Sequence, residues 1–227
     1  MAISLIASDT VEASGTSAVV NNVPAGTVND DFLIWQVSNT TTTIPATPAG
    51  WTLTASGGVA ADMLVVWYRK AASEPANYST GTLGAAGRSV GLMTTWRGVD
   101  TTTPLDVATP IPSTGSTAVA CPAITPVTAG AWVIGLAGAN VALGVINTTY
   151  SSSNLTAVDA QKTSTSGSAT NNVGGIGHFI WSSGAFTPAF STSNASVRTV
   201  GATMALRPAA GAAAPPFELL TPTPSYY

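Results

Sequence analysis

Apolar and hydroxyl side chains alternate along much of this 227-residue chain. The run Arg88–Gly98 reads RSVGLMTTWRG, and the later run Arg198–Pro208, RTVGATMALRP, follows the same pattern. Successive side chains of a strand point to opposite faces, so a period of two predicts strands with one buried face. The buried faces are predicted to hold Val90, Leu92, Thr94 and Trp96 in the first run, and Val200, Ala202, Met204 and Leu206 in the second.

Other segments of the two halves also match. The matched pairs are Asp31–Asn39 with Ala131–Asn140, Gly50–Ser56 with Ser153–Ala160, and Asp62–Thr80 with Ile176–Thr192, in which Pro75 faces Pro188 and Tyr78 faces Phe190. The segments between them are rich in Gly, Pro, Ser and Thr, which favour turns. The pattern therefore predicts an all-β chain of two similar halves, with a pseudo-repeat over residues 16–106 and 116–207.

Two architectures fit such a repeat. Two tandem sandwiches would each hold one half, whereas a single jelly-roll β-sandwich over residues 1–207 would combine both. We favour the single jelly roll because Leu64–Tyr68 and Asp31–Trp35 are apolar on both faces, as central strands of a large sandwich or an oligomer are. The segment Thr101–Val127 resembles a decorated crossover more than a flexible spacer.

Composition supports the all-β prediction and narrows the function. Only 7% of residues are charged and the net charge is −3, without a basic stripe, so binding to nucleic acid is not expected. A single cysteine, Cys121, excludes an intrachain disulfide and is predicted to be a small buried apolar residue. Abundant Thr and Val suit a pleated sheet better than a helix.

One stretch has the length and hydropathy of a membrane span. Ala129–Ile146 is apolar except for Asn140, but it contains several glycines and no flanking basic residues. It also matches a strand of the first half, so a buried strand and turn are predicted instead of a membrane helix. The N-terminal run Met1–Asp9 has no basic residue and is not expected to be a secretory signal.

The catalytic patterns are weak. Gly87–Gly91 spells G-x-S-x-G around Ser89, but a nucleophile elbow needs a following helix and a positioned histidine. The one histidine of the chain, His178, lies in a strand pattern and is expected to be packed or hydrogen-bonded. Gly174–Phe179 is glycine-rich but precedes no helix, so it does not predict a dinucleotide loop. We expect no enzyme activity and no cofactor.

Carboxylates are few and dispersed. Asn29–Asp31, and Asp100 with Asp106, have the oxygen ligands that a Ca²⁺ site uses in jelly-roll lectins. Such acidic turns are more often structural, and no metal ligand is assigned. No spacing indicates the facing carboxylate pair of a glycosidase.

The first half carries a resemblance to a known group of proteins. Its string runs from the turn Pro24–Gly26 through PAGWT at Pro48–Thr52, WYRKA at Trp67–Ala71 and EPANY at Glu74–Tyr78 to WRGVDTTTPLD at Trp96–Asp106. This string resembles jelly-roll virion proteins of tailed bacteriophages, which include capsid decoration (cement) proteins and tail-associated modules. Related strings also occur in bacterial surface proteins. The resemblance implies a β-sandwich on the outside of a particle, without catalysis.

The composition changes after Arg207. Residues 208–227, PAAGAAAPPFELLTPTPSYY, predict an extended arm that cannot form its own core. Ordering it costs more than its apolar side chains return, so we expect backbone pairing with another subunit or the capsid shell. Docking on its own sandwich is the alternative. The residues expected to dock are Phe217, Leu219, Leu220, Tyr226 and Tyr227.

These features lead to one functional expectation and two alternatives. The first is a capsid decoration protein on the virion surface, which is a homo-oligomer (a trimer by expectation) and binds the major capsid protein or other virion proteins. The second is a lectin-like, carbohydrate-binding module, for which exposed tryptophans would stack on sugars. Trp51 is the expected exposed one, because Trp67, Trp96, Trp132 and Trp181 mostly fall in apolar strand patterns. The third is a tail or fibre component.

Overall fold

The computed structural model describes residues 1–41, 43–59, 62–83, 87–115, 118–142, 148–165, 170–194 and 196–211. Within these ranges the chain forms β-strands and no helix, as predicted. The strands are β1 (Ser4–Gly15), β2 (Val20–Asn22), β3 (Phe32–Asn39), β4 (Thr52–Val59), β5 (Asp62–Lys70), β6 (Asn77–Ser79), β7 (Gly87–Arg97), β8 (Ser113–Gly115), β9 (Val119–Ala120), β10 (Trp132–Ala142), β11 (Tyr150–Ser151), β12 (Ala157–Thr163), β13 (Thr170–Ile180), β14 (Ala189–Thr192) and β15 (Ser196–Leu206).

Two five-stranded antiparallel sheets form the body of the molecule. The first sheet has the order β1-β7-β3-β5-β4, and the second has the order β8-β15-β10-β13-β12. The orders correspond strand for strand, so each half of the chain supplies one complete sheet. The predicted β-sandwich of two similar halves is confirmed. Strand β1 corresponds to β8, which extends the likeness beyond the segments that match in sequence.

The two sheets are related as a twofold rotation requires. Strand β1 at one edge of the first sheet lies against β12, and β4 at the other edge lies against β8. Because β12 is the counterpart of β4 and β8 is the counterpart of β1, each edge strand of the first sheet lies against the strand that corresponds to the other edge. The starts of β3 and β10 lie at one end of the sandwich, together with the ends of β7 and β15. We call this the lower end, and the opposite one the upper end.

Strand register shows the same correspondence residue by residue. Strand β4 has a bulge between Leu53 and Ala55, and β12 has one between Val158 and Ala160. A bulge turns a side chain away from the regular alternation. Aromatic stacks also repeat: Phe32 lies on Tyr68 in the first sheet, with ring centroids 5.2 Å apart, and Trp132 lies on His178 in the second at 4.4 Å.

Both faces of each sheet are covered. The inner faces form a central core, which contains the predicted apolar residues of β7 and β15. The small sheet β2-β6 covers the outer face of the first sheet over Trp35 and Trp67. The small sheet β11-β14-β9 covers the second over Ala137 and Val173. The four layers explain why β3 and β5 are apolar on both faces.

The apolar run that resembles a membrane span is a central strand. Its residues Trp132–Ala142 form β10, which pairs with β13 and β15. The rest of the run within the described residues is the turn before this strand, where Ala131 N donates to Thr128 O at 3.1 Å. No helix of the described residues is long and apolar enough to cross a membrane.

Candidate functional site

The lower end of the sandwich contains a repeated ion pair. Arg97, at the end of β7, donates from Nε to Asp31 Oδ1 at 2.8 Å and from Nη2 to Asp31 Oδ2 at 2.9 Å. The side chain of Asp31 is buried and that of Arg97 is about one-third exposed. This carboxylate also accepts the backbone N–H of Val28 at 2.9 Å, which closes the turn before β3. The hydrogen bond to Asp31 raises the pKa of Arg97.

The second half repeats this arrangement with a carboxylate from a different place in the chain. Arg207, just after β15, lies 3.3 Å from Asp106 Oδ1. Asp106 Oδ2 accepts the backbone N–H groups of Val127 at 2.6 Å and Thr128 at 3.1 Å, in the turn before β10. Asp106 belongs to the connection between the halves, whereas Asp31 directly precedes its own strand.

The acidic residues considered for Ca²⁺ have structural partners. Burial works to raise the pKa of Asp106, but the hydrogen bonds from Thr128 and Val127, with the charge of Arg207, outweigh it and hold the pKa below the ordinary value. Asp100 Oδ1 accepts the backbone N–H groups of Thr102 and Thr103, and these bonds lower its pKa. The described residues contain no cluster of three or more His, Cys, Asp or Glu arranged for a metal.

A shallow pocket at the lower end contains several of these groups. Asp30, Asp31, Lys70 and Asp100 are among its lining residues. Lys70 Nζ lies 3.3 Å from Asp30 Oδ1, and both side chains are at least half exposed. Asp31 faces Arg97, so the charges around the pocket are largely balanced. The pocket has no convergent set of ligands for a cation.

His178 is held by a carboxylate in the central core. Its Nδ1 lies 2.8 Å from Asp159 Oδ1 and 2.9 Å from Oδ2, and both side chains are at least nine-tenths buried. Asp159 is the bulge residue of β12. Ser89 belongs to the first sheet, next to Asn39 near the upper end, whereas His178 pairs with Ile134 near the lower end of the second sheet. The geometry does not bring Ser89 and His178 together.

Trp51 is buried, which corrects the expectation that it is the exposed tryptophan. Trp51 N donates to Pro48 O at 3.1 Å, and this turn lays the ring against Trp35, with centroids 5.4 Å apart. The Arg69 guanidinium covers the exposed side, 5.8 Å from the Trp51 centroid and 5.2 Å from that of Tyr78. Glu74 binds both the Arg69 guanidinium and the Tyr78 hydroxyl, and completes a cation–π cage.

The second half has an aromatic patch where the first has Arg69. Phe179 replaces the arginine in β13 and stacks on Phe186, with ring centroids 4.0 Å apart and planes at 3°. Trp181 packs in the same cluster and donates from Nε1 to Gly184 O at 2.8 Å. All three rings are partly exposed. No sequence pattern indicates this patch, because its rings come from a strand end and a loop.

The upper end of the central core is polar. Gln36, Ser38, Asp62 and Asn172 are buried there between the sheets. Gln36 Nε2 donates to Ala137 O at 2.7 Å, which links the two halves. Gln36 Oε1, Ser38 Oγ, Asn172 Oδ1 and both carboxylate oxygens of Asp62 have no hydrogen-bond partner among the described residues. Burial raises the pKa of Asp62 to about 8, although the charge of Arg198 lowers it.

The five residues expected to dock through the arm, Phe217, Leu219, Leu220, Tyr226 and Tyr227, lie outside the described residues. The start of the arm is described. Pro208 bridges to Val99, and Ala209 N donates to Gly98 O at 2.8 Å, so the chain leaves the sandwich at its lower end. Exposed apolar side chains share this end: Met1 is 68% exposed, Val28 54%, Val127 70% and Ile180 37%.

No protein-family model matches the chain, and neither curated proteins nor solved structures give a match.

Proposed function

We propose that this protein is a structural component of a tailed-bacteriophage virion and that it decorates the outer surface of the capsid as a homo-oligomer. One observation carries the docking part of the proposal: the exposed apolar residues Val28 and Val127 occupy the same end of the sandwich from which the arm departs. An end that combines apolar side chains with the start of the predicted arm suits attachment to a larger surface. The resemblance of residues 23–106 to virion proteins supplies the kind of particle.

The rest of the molecule suits a rigid structural part. Four layers bury both faces of each sheet, and Asp31 and Asp106 at the lower end are tied to arginines and turn N–H groups. Because so few side chains are charged, the surface favours neutral, hydrogen-bonded contacts over charge-steered encounters.

Purified particles that carry the protein provide the test. Quantitative mass spectrometry should give a copy number that scales with the major capsid protein, and cryo-electron microscopy should place the sandwich on the outer shell. A few copies per particle would indicate a tail or fibre component, and a protein missing from the particle would overturn the proposal. Val28→Asp and Val127→Asp should each reduce capsid binding. Ile111→Asp is the matched control, because Ile111 is 88% exposed but lies away from the lower end.

A carbohydrate-binding role is the second candidate, and the partly exposed aromatic patch of Phe179, Trp181 and Phe186 favours it. Sugar rings stack on such aromatic faces. A glycan array and a titration of sugars against tryptophan fluorescence test this role. Saturable binding that Trp181→Ala abolishes would support the lectin, and unchanged fluorescence across the array would exclude the patch as a sugar site.

A further inference from the structure

Four strands lie at the edges of the two five-stranded sheets, where unpaired backbone N–H and C=O groups invite another strand. Two of these edges, β1 and β12, close on each other. Ser8 Oγ donates to Asp159 O at 3.3 Å, and Thr165 N donates to Glu12 Oε2 at 2.6 Å. Charged residues lie along both strands. This side of the sandwich is protected against strand addition.

The edge strand β8 is also protected. It has three residues, and Pro110 and Pro112 directly precede it. Proline cannot donate to a strand ladder, and a very short edge offers few hydrogen bonds.

Strand β4 lies against the short strand β8, but apart from this contact and its bulge it has none of these protections. Its eight residues, TLTASGGV, include no charge and no proline. Beyond its pairing with β5, no backbone hydrogen bond to β4 is found within the described ranges. The neighbouring segment contacts it through side chains, as in the 2.8 Å hydrogen bond between Thr54 Oγ1 and Thr109 Oγ1. Leu53 is 42% exposed beside this edge.

We propose that the edge of β4 accepts the C-terminal segment of a second copy of this chain as an added antiparallel strand, through Phe217–Leu220. The inference deepens the proposed function, because it rests on the protein acting as a homo-oligomer. Sixteen residues, 212–227, follow the described part of the chain, and FELL within them has three apolar residues and no proline. An added strand gains main-chain hydrogen bonds, which side-chain burial alone does not supply.

Reach argues for a second copy over the chain's own arm. Ala209 is hydrogen-bonded to Gly98 beside β7, and β4 lies three strands away, or about 14 Å. Strand β4 runs from the lower end to the upper end. An antiparallel partner runs in the opposite direction, so its first residue must lie nearer the upper end. Residues 212–217 span at most about 20 Å, so a strand from the same chain would need an almost fully stretched connection. A parallel partner avoids this limit, but every strand pair in the described chain is antiparallel.

Hydrogen exchange on the full-length chain tests the proposal. Amides of β4 should become protected as protein concentration rises, in step with association measured by light scattering. Phe217→Asp and Leu53→Lys should each weaken association about tenfold or more, since one loses an apolar anchor and the other charges the edge. Val20→Lys is the control and should leave association unchanged, because Val20 has the same exposed fraction as Leu53, 42%, but lies in β2, which packs against β1 and β7.

Three outcomes would overturn the inference. The first is a chain that does not associate, and the second is association that leaves the β4 amides unprotected. The third is protection of β4 in a monomer, independent of concentration. This third outcome would assign the edge to the chain's own arm. A chain that does not associate would also remove the homo-oligomer from the proposed function, but none of the three outcomes decides attachment to the capsid, which is measured separately on particles. Capsid binding that persists without β4 protection would remove this inference alone.

Discussion

The guanidinium of Arg97 donates two hydrogen bonds to the buried carboxylate of Asp31, and so ties the end of β7 to the turn before β3. Arg207 and Asp106 join the corresponding parts of the second half. The repeated arginine that closes each of these strands therefore has a structural role: its charge pairs with a buried acid while part of the side chain reaches water. In both halves the same carboxylate also caps turn N–H groups.

Asp106 gives the first prediction. Asp106→Asn should destabilise the fold by about 2–3 kcal/mol near neutral pH, because the charge facing Arg207 is lost and the N–H groups of Val127 and Thr128 keep a weaker acceptor. Since its folded pKa lies below the ordinary value of about 3.9, the contribution is present above that pH and is lost as pH falls through the folded pKa. Urea unfolding at several pH values measures both effects.

Asp30→Asn is the control for Asp106→Asn. Asp30 forms an exposed pair with Lys70, which is worth no more than about 1 kcal/mol. Equal losses from the two variants would contradict the assigned role of Asp106.

Asp62 predicts the opposite dependence on pH. Its folded pKa of about 8 lies above the unfolded value, so the folded state binds the proton more tightly and stability falls as pH rises through the window from about 4 to about 8. The loss is on the order of 5 kcal/mol. Asp62→Asn should remove this slope and make the protein more stable than the parent at pH 8. A parallel pH profile for the variant and the parent would refute the assignment.

Gly91 predicts a packing defect. A Cβ at this position would lie 2.2 Å from Asn21 Oδ1 and 2.3 Å from Val19 Cγ1, so Gly91→Ala forces the β2 layer outward. The expected cost is about 1–3 kcal/mol, read as a lower Tm in calorimetry. The double variant with Val19→Ala should recover part of the lost stability, because one of the two contacts is relieved. If the losses of the two single variants simply add in the double variant, this explanation is excluded.

Cys121 predicts protection of the one thiol. The residue is buried, and burial raises its pKa to about 12, against a weak hydrogen bond to Leu136 O. Thiol reagents should therefore leave the native chain unlabelled at neutral pH and label it fully in denaturant. Rapid labelling without denaturant would show that the thiol is accessible in the folded state.

The fold was largely predictable, because it depends on a pattern that the sequence repeats. Alternation in Arg88–Gly98 identified the buried face of β7, and double-sided apolarity identified β3 and β5 as central. Register was harder to predict. The letters LTA occur in both Gly50–Ser56 and Ser153–Ala160, but the bulges make Val158 the counterpart of Leu53. The extra residue of a bulge shifts the alternation within a strand, and the pattern alone does not show at which residue the shift falls.

The site was less predictable than the fold. Burial of Trp51 depends on Arg69 covering it from another strand, and no local pattern encodes such a cover. The polar upper end had one usable signal, the charged residue Asp62 directly before the apolar run Met63–Trp67. Asp106 accepts the N–H groups of Val127 and Thr128, which are far from it in sequence. Only the folded chain reveals this contact.

The matching bulges of β4 and β12 lie in halves that depend on each other. Each half supplies one complete sheet, and the other half covers the apolar inner face of that sheet. A half expressed alone would expose this face to water, so it is expected to aggregate or to pair with a second copy of itself.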